Sequence, residues 1–121
     1  MARHEPIRPS ERYPEVKVNT HTLGAIGELR AAVWLLEHGW EVFRQITYDC
    51  SCDLIGIKNG QVYRFEVRTA VEAKNGKPRF SKDHIYAENL IAVVLPGGKI
   101  FCIPEVPVPV QLIIPKQPKT H

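Results

Sequence analysis

Asp53 and Glu66 are the residues of this chain whose types and spacing could do chemistry. Asn59-Gly60 lies midway between them, flanked by Asp53-Leu54-Ile55-Gly56-Ile57 and Val62-Tyr63-Arg64-Phe65-Glu66-Val67. An Asn-Gly pair between alternating apolar runs predicts a two-residue hairpin turn. That turn pairs residue 57 with 62 and therefore sets Asp53 opposite Glu66. Facing side chains of an antiparallel pair lie about 5 Å apart on one side of the sheet, where two negative charges repel. A divalent cation between the carboxylates removes the conflict, because Mg²⁺ takes carboxylate oxygens together with waters and phosphates. Arg64 and Arg68 share the face of Glu66 by the two-residue period. A second reading needs no metal: Arg64 and Arg68 neutralise the two acids in a surface ion-pair ladder, which contributes little. A three-residue loop with a bulge would instead pair Asp53 with Phe65 and put the acids on opposite faces.

The elements around the acids can be read from the same rows. Asn19 or Thr20 caps a helix that runs through Leu23 to Leu36 and stops at Gly39. Ala25, Ile26, Leu29, Ala32, Val33 and Leu36 form its apolar stripe, with Glu28 on the border. Gly24 and Gly27 weaken the helix and predict a close approach to its backbone near Glu28. Glu41 to Ile46 reads as a strand, followed by the hairpin, by a basic loop from Lys74 to Lys82 and by a short helix around His84 to Asn89. Leu90 to Leu95 is apolar on both faces, as a central strand is, and Ile100 to Ile103 forms one more strand after the Pro96-Gly97-Gly98 turn. The expected fold class is α+β, a mixed sheet of about five strands with the first helix packed on one face. Trp34, Trp40 and Phe43 are expected in the core, with Trp40 folding back on the end of the helix.

Composition bounds the rest. The chain has 121 residues, 44% of them apolar and 24% charged, which suits one globular domain (residues 20–104) between a Pro-rich N-terminal arm (1–19) and a Pro-rich C-terminal arm (105–121). The apolar segment from Val106 to Ile114 requires cover, from this domain or a second copy. No apolar run reaches the length of a membrane span and the first residues lack a secretory stretch, so a soluble, cytoplasmic protein is expected. The three cysteines are expected as free thiols; Cys50, Cys52 and Cys102 with His84 lack the spacing of a structural zinc site. A net charge of +3 permits an anionic partner without demanding one.

Taken in order, Gly24-x-x-Gly27-Glu28, Asp53-Leu54-Ile55, Asn59-Gly60, Glu66-Val67-Arg68-Thr69 and the strands up to Pro104 resemble the PD-(D/E)XK nuclease superfamily, above all archaeal Holliday-junction resolvases and small intron-homing endonucleases. The resemblance covers residues 20 to 104 and implies a restriction-endonuclease-like domain of αβββαβ type. It implies further that Asp53 and Glu66 bind Mg²⁺ or Mn²⁺, that Glu28 completes the metal site from the first helix, and that Arg68 occupies the position of the catalytic lysine. Two departures stand out: Cys52 precedes the first acid where the motif has proline, and arginine, always protonated, can stabilise charge but cannot act as a base. The activity implied is metal-dependent hydrolysis of DNA phosphodiester bonds; the alternative is a degenerate fold that only binds nucleic acid or a protein partner. Lys74, Lys77, Arg79 and Lys82, with Arg30 and Arg44 nearer the site, are the candidate phosphate contacts. A chain this short has little surface for reading a long site, which favours structure-selective cutting by a dimer or tetramer. Tyr48 and Asp49 are expected to border the site.

Overall fold

The computed structural model describes residues 17–47 and 50–111. The first sixteen residues, the pair 48–49 and the arm from residue 112 lie outside the described residues, and with them most of the N-terminal arm and the expectation for Tyr48 and Asp49.

Helix α1 spans Thr20–Glu37, and the Asn19 side chain accepts from the Thr22 N–H at 2.9 Å to cap it. At its other end Gly39 takes φ +85° and the Trp40 N–H donates to the Leu35 carbonyl at 3.1 Å, so the chain reverses and drops the Trp40 ring into the core. Six strands follow: β1 Glu41–Arg44, β2 Leu54–Lys58, β3 Gln61–Glu72, β4 Pro78–Arg79, β5 Asn89–Val94 and β6 Lys99–Ile103. They form one mixed sheet in the order β1-β2-β3-β5-β6, with β4 pairing the far end of β3. Among the described strands only β3 and β5 run parallel. Every residue of β5 is buried, as its continuous apolar pattern demands.

The β2–β3 turn is the tight one. Lys58 pairs with Gln61, Asn59 has φ +53° and Gly60 φ +73°, and both positive values are what a type I′ turn needs. Leu54 consequently pairs with Phe65.

Three expectations are corrected. The buried side of α1 is Gly27, Ala31 and Leu35, whereas Leu29, Val33 and Leu36 of the expected stripe point to solvent. The small residues win this face because α1 lies so close to β3 that a Cβ at Gly27 would meet the Thr69 methyl at 3.0 Å; Gly24, by contrast, has open space beside it. No helix forms around His84 to Asn89: His84 adopts φ +57°, a left-handed conformation incompatible with a continuing helix. Phe80 and Ile85 of the irregular crossover cover the lower face instead, against Ala70, Leu90, Ala92 and Val94. Phe43, expected inside, is half exposed, since it stands on the face of β1 turned away from α1.

Two cores result. Ala31 and Leu35 of α1 pack with Trp40, Leu54, Phe65, Ile91 and Val93 on one face. Trp40 meets Tyr63 and Phe65 edge-on at 4.7 and 5.4 Å between ring centres, and Gly56 leaves it room, since a Cβ there would lie 2.7 Å from the indole. The C-terminal arm is partly covered by its own domain: Val108 exchanges two hydrogen bonds with the buried Asn89 side chain, at 2.7 and 2.8 Å, and the Val110 N–H donates to the Val62 carbonyl.

Candidate active site

The two-residue register would set Asp53 opposite Glu66, but pairing ends at Leu54 with Phe65 and the two strands part there, so the two acids do not form a ladder pair. The Asp53 N–H still donates to the Phe65 carbonyl at 2.9 Å, but the next ladder bond is made by its side chain: the Val67 N–H donates to Asp53 Oδ2 at 2.8 Å. The carboxylate has taken the place of a strand carbonyl at the fork. It is therefore held in the plane of the sheet, and it borders a cavity on each side of it.

On the α1 side the cavity is about 600 Å³, and Glu28, Arg44, Gln45, Asp53 and Val67 are among the residues that line it. Glu28 is reached by the Arg44 guanidinium, Nε to Oε1 at 3.3 Å, so Arg44 balances an acid at the site. Among the described residues Gln45 Oε1 is buried without a hydrogen-bond partner. An unpartnered buried oxygen beside two carboxylates is unusual in a folded chain, where such atoms are nearly always satisfied.

Glu66 and Arg68 do not line that cavity. They stand on the opposite face, level with Leu90 and Ala92 of β5, and form an ion pair of 3.2 Å. Arg68 also donates to the carbonyls of Asp83 and His84 at 2.8 and 3.2 Å, which ties the crossover to the sheet; its Nε is buried without a partner. Burial pushes the Glu66 carboxyl above its ordinary range, the negative charge of Asp53 pushes it further, and Arg68 pulls it back. The Asp53 charge thus reaches Glu66 across the fork. Among the described residues no three His, Cys, Asp or Glu side chains are gathered into one cluster, which applies equally to Glu28 with Asp53 and Glu66 and to the cysteines with His84. Cys50, Cys52 and Cys102 are free thiols, and burial raises the pKa of Cys52 and Cys102.

The loop leading into Asp53 is held by a residue pair that the sequence did not single out. Arg64 grips Glu88 with Nε and Nη2 and reaches Ser51 Oγ with Nη1 at 3.1 Å. Arg64 therefore neutralises Glu88 rather than the motif acids, and the bond holds the Glu88 carboxyl below its ordinary range. Of the expected phosphate contacts, Lys77 and Lys82 lie along a groove with Phe80 and Phe101. Arg79 lies with Leu23 and Pro96, and Lys74 is at the tip of the β3–β4 connection. Arg30 is not near the site: it lines a separate groove with Leu29 and Gly98 and donates to the Pro96 carbonyl.

With this geometry in view, one solved structure is informative. A bacterial homing endonuclease, I-Ssp6803I, superposes with a TM-score of 0.60 over 85% of this chain and 83% of its own, at 18% sequence identity. The fold is nuclease-like. No family model matches the chain, and no curated protein matches it. At this identity the likeness concerns the arrangement of α1 and the sheet, which is the arrangement that creates the fork.

Proposed function

We propose that this chain is a Mg²⁺-dependent DNA endonuclease whose reaction centre is the fork between β2 and β3. The observation that carries the reading is Asp53, a carboxylate locked by the Val67 N–H between Glu28 on one side and a charge-coupled Glu66 on the other. The structural neighbour, a homing endonuclease, suggests the DNA substrate class.

The residues suit a hard cation. Asp53 is an oxygen donor, and Glu28 and the buried, neutral Gln45 Oε1 line the same cavity. Asp53 would hold the ion, with Glu28 and Gln45 on the α1 wall of that cavity, while Glu66 stands on the other face and would reach an ion only across the fork. A bound Mg²⁺ supplies Lewis-acid polarisation of a phosphate and acidifies a water. The Arg68 guanidinium, fixed beside Glu66, would stabilise charge that builds on the phosphorus oxygens. Glu28, already balanced by Arg44, orients groups across the cavity. Lys77 and Lys82 extend the positive surface on the Arg68 face, where a phosphate backbone would lie.

The test is nicking of supercoiled, linear and branched DNA by purified protein with Mg²⁺ or Mn²⁺. Cleavage that requires the metal and disappears in Asp53→Asn supports the reading. Binding without cleavage under every metal condition, unrestored by Arg68→Lys, overturns it in favour of a fold that only binds.

A further inference from the structure

Helix α1 carries two apolar faces, and only one of them is covered. Gly27, Ala31 and Leu35 meet the sheet. Leu29, Val33 and Leu36 remain 51%, 51% and 57% exposed. Their spacing of four and three residues is the d-a-d seam of a coiled coil, which packs against another helix. The groove beside the seam, about 430 Å³, is flanked by Trp34 and Ile100.

The charges that edge this seam choose the partner. Arg30 and Glu37 both line the groove, seven residues apart, so each follows a d residue at the same heptad position, e. In an antiparallel helix pair e residues face e residues, whereas in a parallel pair they face g. A two-fold axis passing near Val33 sets Arg30 of one chain against Glu37 of the other, twice, and brings Leu29 to within a residue of Leu36. A parallel pair would oppose Arg30 and Glu37 to Ala25 and Ala32, which offer nothing. Among the described residues neither Arg30 nor Glu37 has an ion-pair partner within its own chain.

We propose that the outer face of α1 is the site at which a second copy of this chain docks, antiparallel and two-fold symmetric, with Val33 on the axis and reciprocal Arg30–Glu37 pairs at its edges. The interface is self-complementary, as a closed dimer requires, and it leaves the fork and its cavity free, because Glu28 lies on a different side of the helix from Val33.

Sedimentation equilibrium on the full chain measures this directly. The expected result is twice the 13.7 kDa chain mass at micromolar concentration. Val33→Asp, a change at an exposed position, should give a monomer with an unchanged circular dichroism spectrum. Arg30→Glu and Glu37→Arg should each weaken self-association at least tenfold by opposing like charges, and mixing the two variants should restore a dimer, now of one chain of each kind. A wild-type monomer at 100 µM, a dimer indifferent to Val33→Asp, or a mixture that stays monomeric overturns the proposal. None of these outcomes depends on whether the protein cuts DNA.

Discussion

On the proposed reading Asp53 has two tasks, and its substitutions separate them. Asparagine keeps an oxygen for the Val67 N–H, whereas alanine leaves that donor without its acceptor at the fork. Asp53→Asn should therefore lower metal-dependent nicking by about 100-fold or more, in the range seen when one charge-stabilising group is lost, while leaving the melting temperature nearly unchanged; Asp53→Ala should also lower the melting temperature. A second expectation concerns acid. The Glu88 carboxyl is held below its ordinary value of 4.5 by Arg64, so the folded state binds that proton less readily than the unfolded chain. The resulting stability is present above that value and is lost as pH falls through the depressed one. Denaturant titrations from pH 6 down to pH 3 should show a shallower acid loss in Glu88→Gln than in the wild type. Glu66 has the opposite sign: its raised pKa favours folding at low pH, and that contribution fades as pH rises through the raised value. At this scale the sequence was legible where partners lie across a short turn. The Asn59-Gly60 turn identifies the register from Lys58 with Gln61 to Leu54 with Phe65, but not the parting of the strands at Asp53, and nothing in the spacing joins Arg64 to Glu88, because that relation depends on where the crossover runs.

Two elements make sharper predictions. Gly24 has nothing within 4 Å of a built Cβ, so Gly24→Ala should raise stability by about 1 kcal/mol through helix propensity alone. Gly27→Val should instead destabilise, because α1 would have to lift from the Thr69 methyl, which lies 3.0 Å from the Cβ position. Thermal denaturation of the pair tests whether one or both glycines mark a close approach. Asn89 is 1% exposed and bonds the Arg64 carbonyl and both polar groups of Val108. Asn89→Ala should cost about 2–3 kcal/mol, the sum expected for three buried hydrogen bonds, and hydrogen exchange at Val108 and Val110 should accelerate before exchange in β5 does. The strands were readable because apolar alternation and turn residues are local. The phase of α1 was not: Leu29, Val33 and Leu36 look like the core stripe, yet close packing at Gly27 turns Gly27, Ala31 and Leu35 to the sheet instead.

The whole molecule should register metal binding as stability. If the fork takes Mg²⁺ only when folded, the ion at ten times its dissociation constant adds about 1.4 kcal/mol, which for a domain of this size is a rise of roughly 5 °C in melting temperature; Asp53→Asn should abolish the rise. The α+β class and the mixed sheet followed from element order, whereas the lower-face cover did not, because His84 turns left-handed where a helix was expected and Phe80 and Ile85 fill that space. The sheet order has one more consequence, for the chain as it is made. The strand that covers the free edge of β3, Asn89–Val94, is synthesised well after the β2–β3 hairpin, and until then β3 presents a bare edge along most of its length. The hairpin that carries Glu66 and leads back to Asp53 thus precedes the support that aligns it, so a growing chain holds both acids before their scaffold and the fork takes shape late in synthesis.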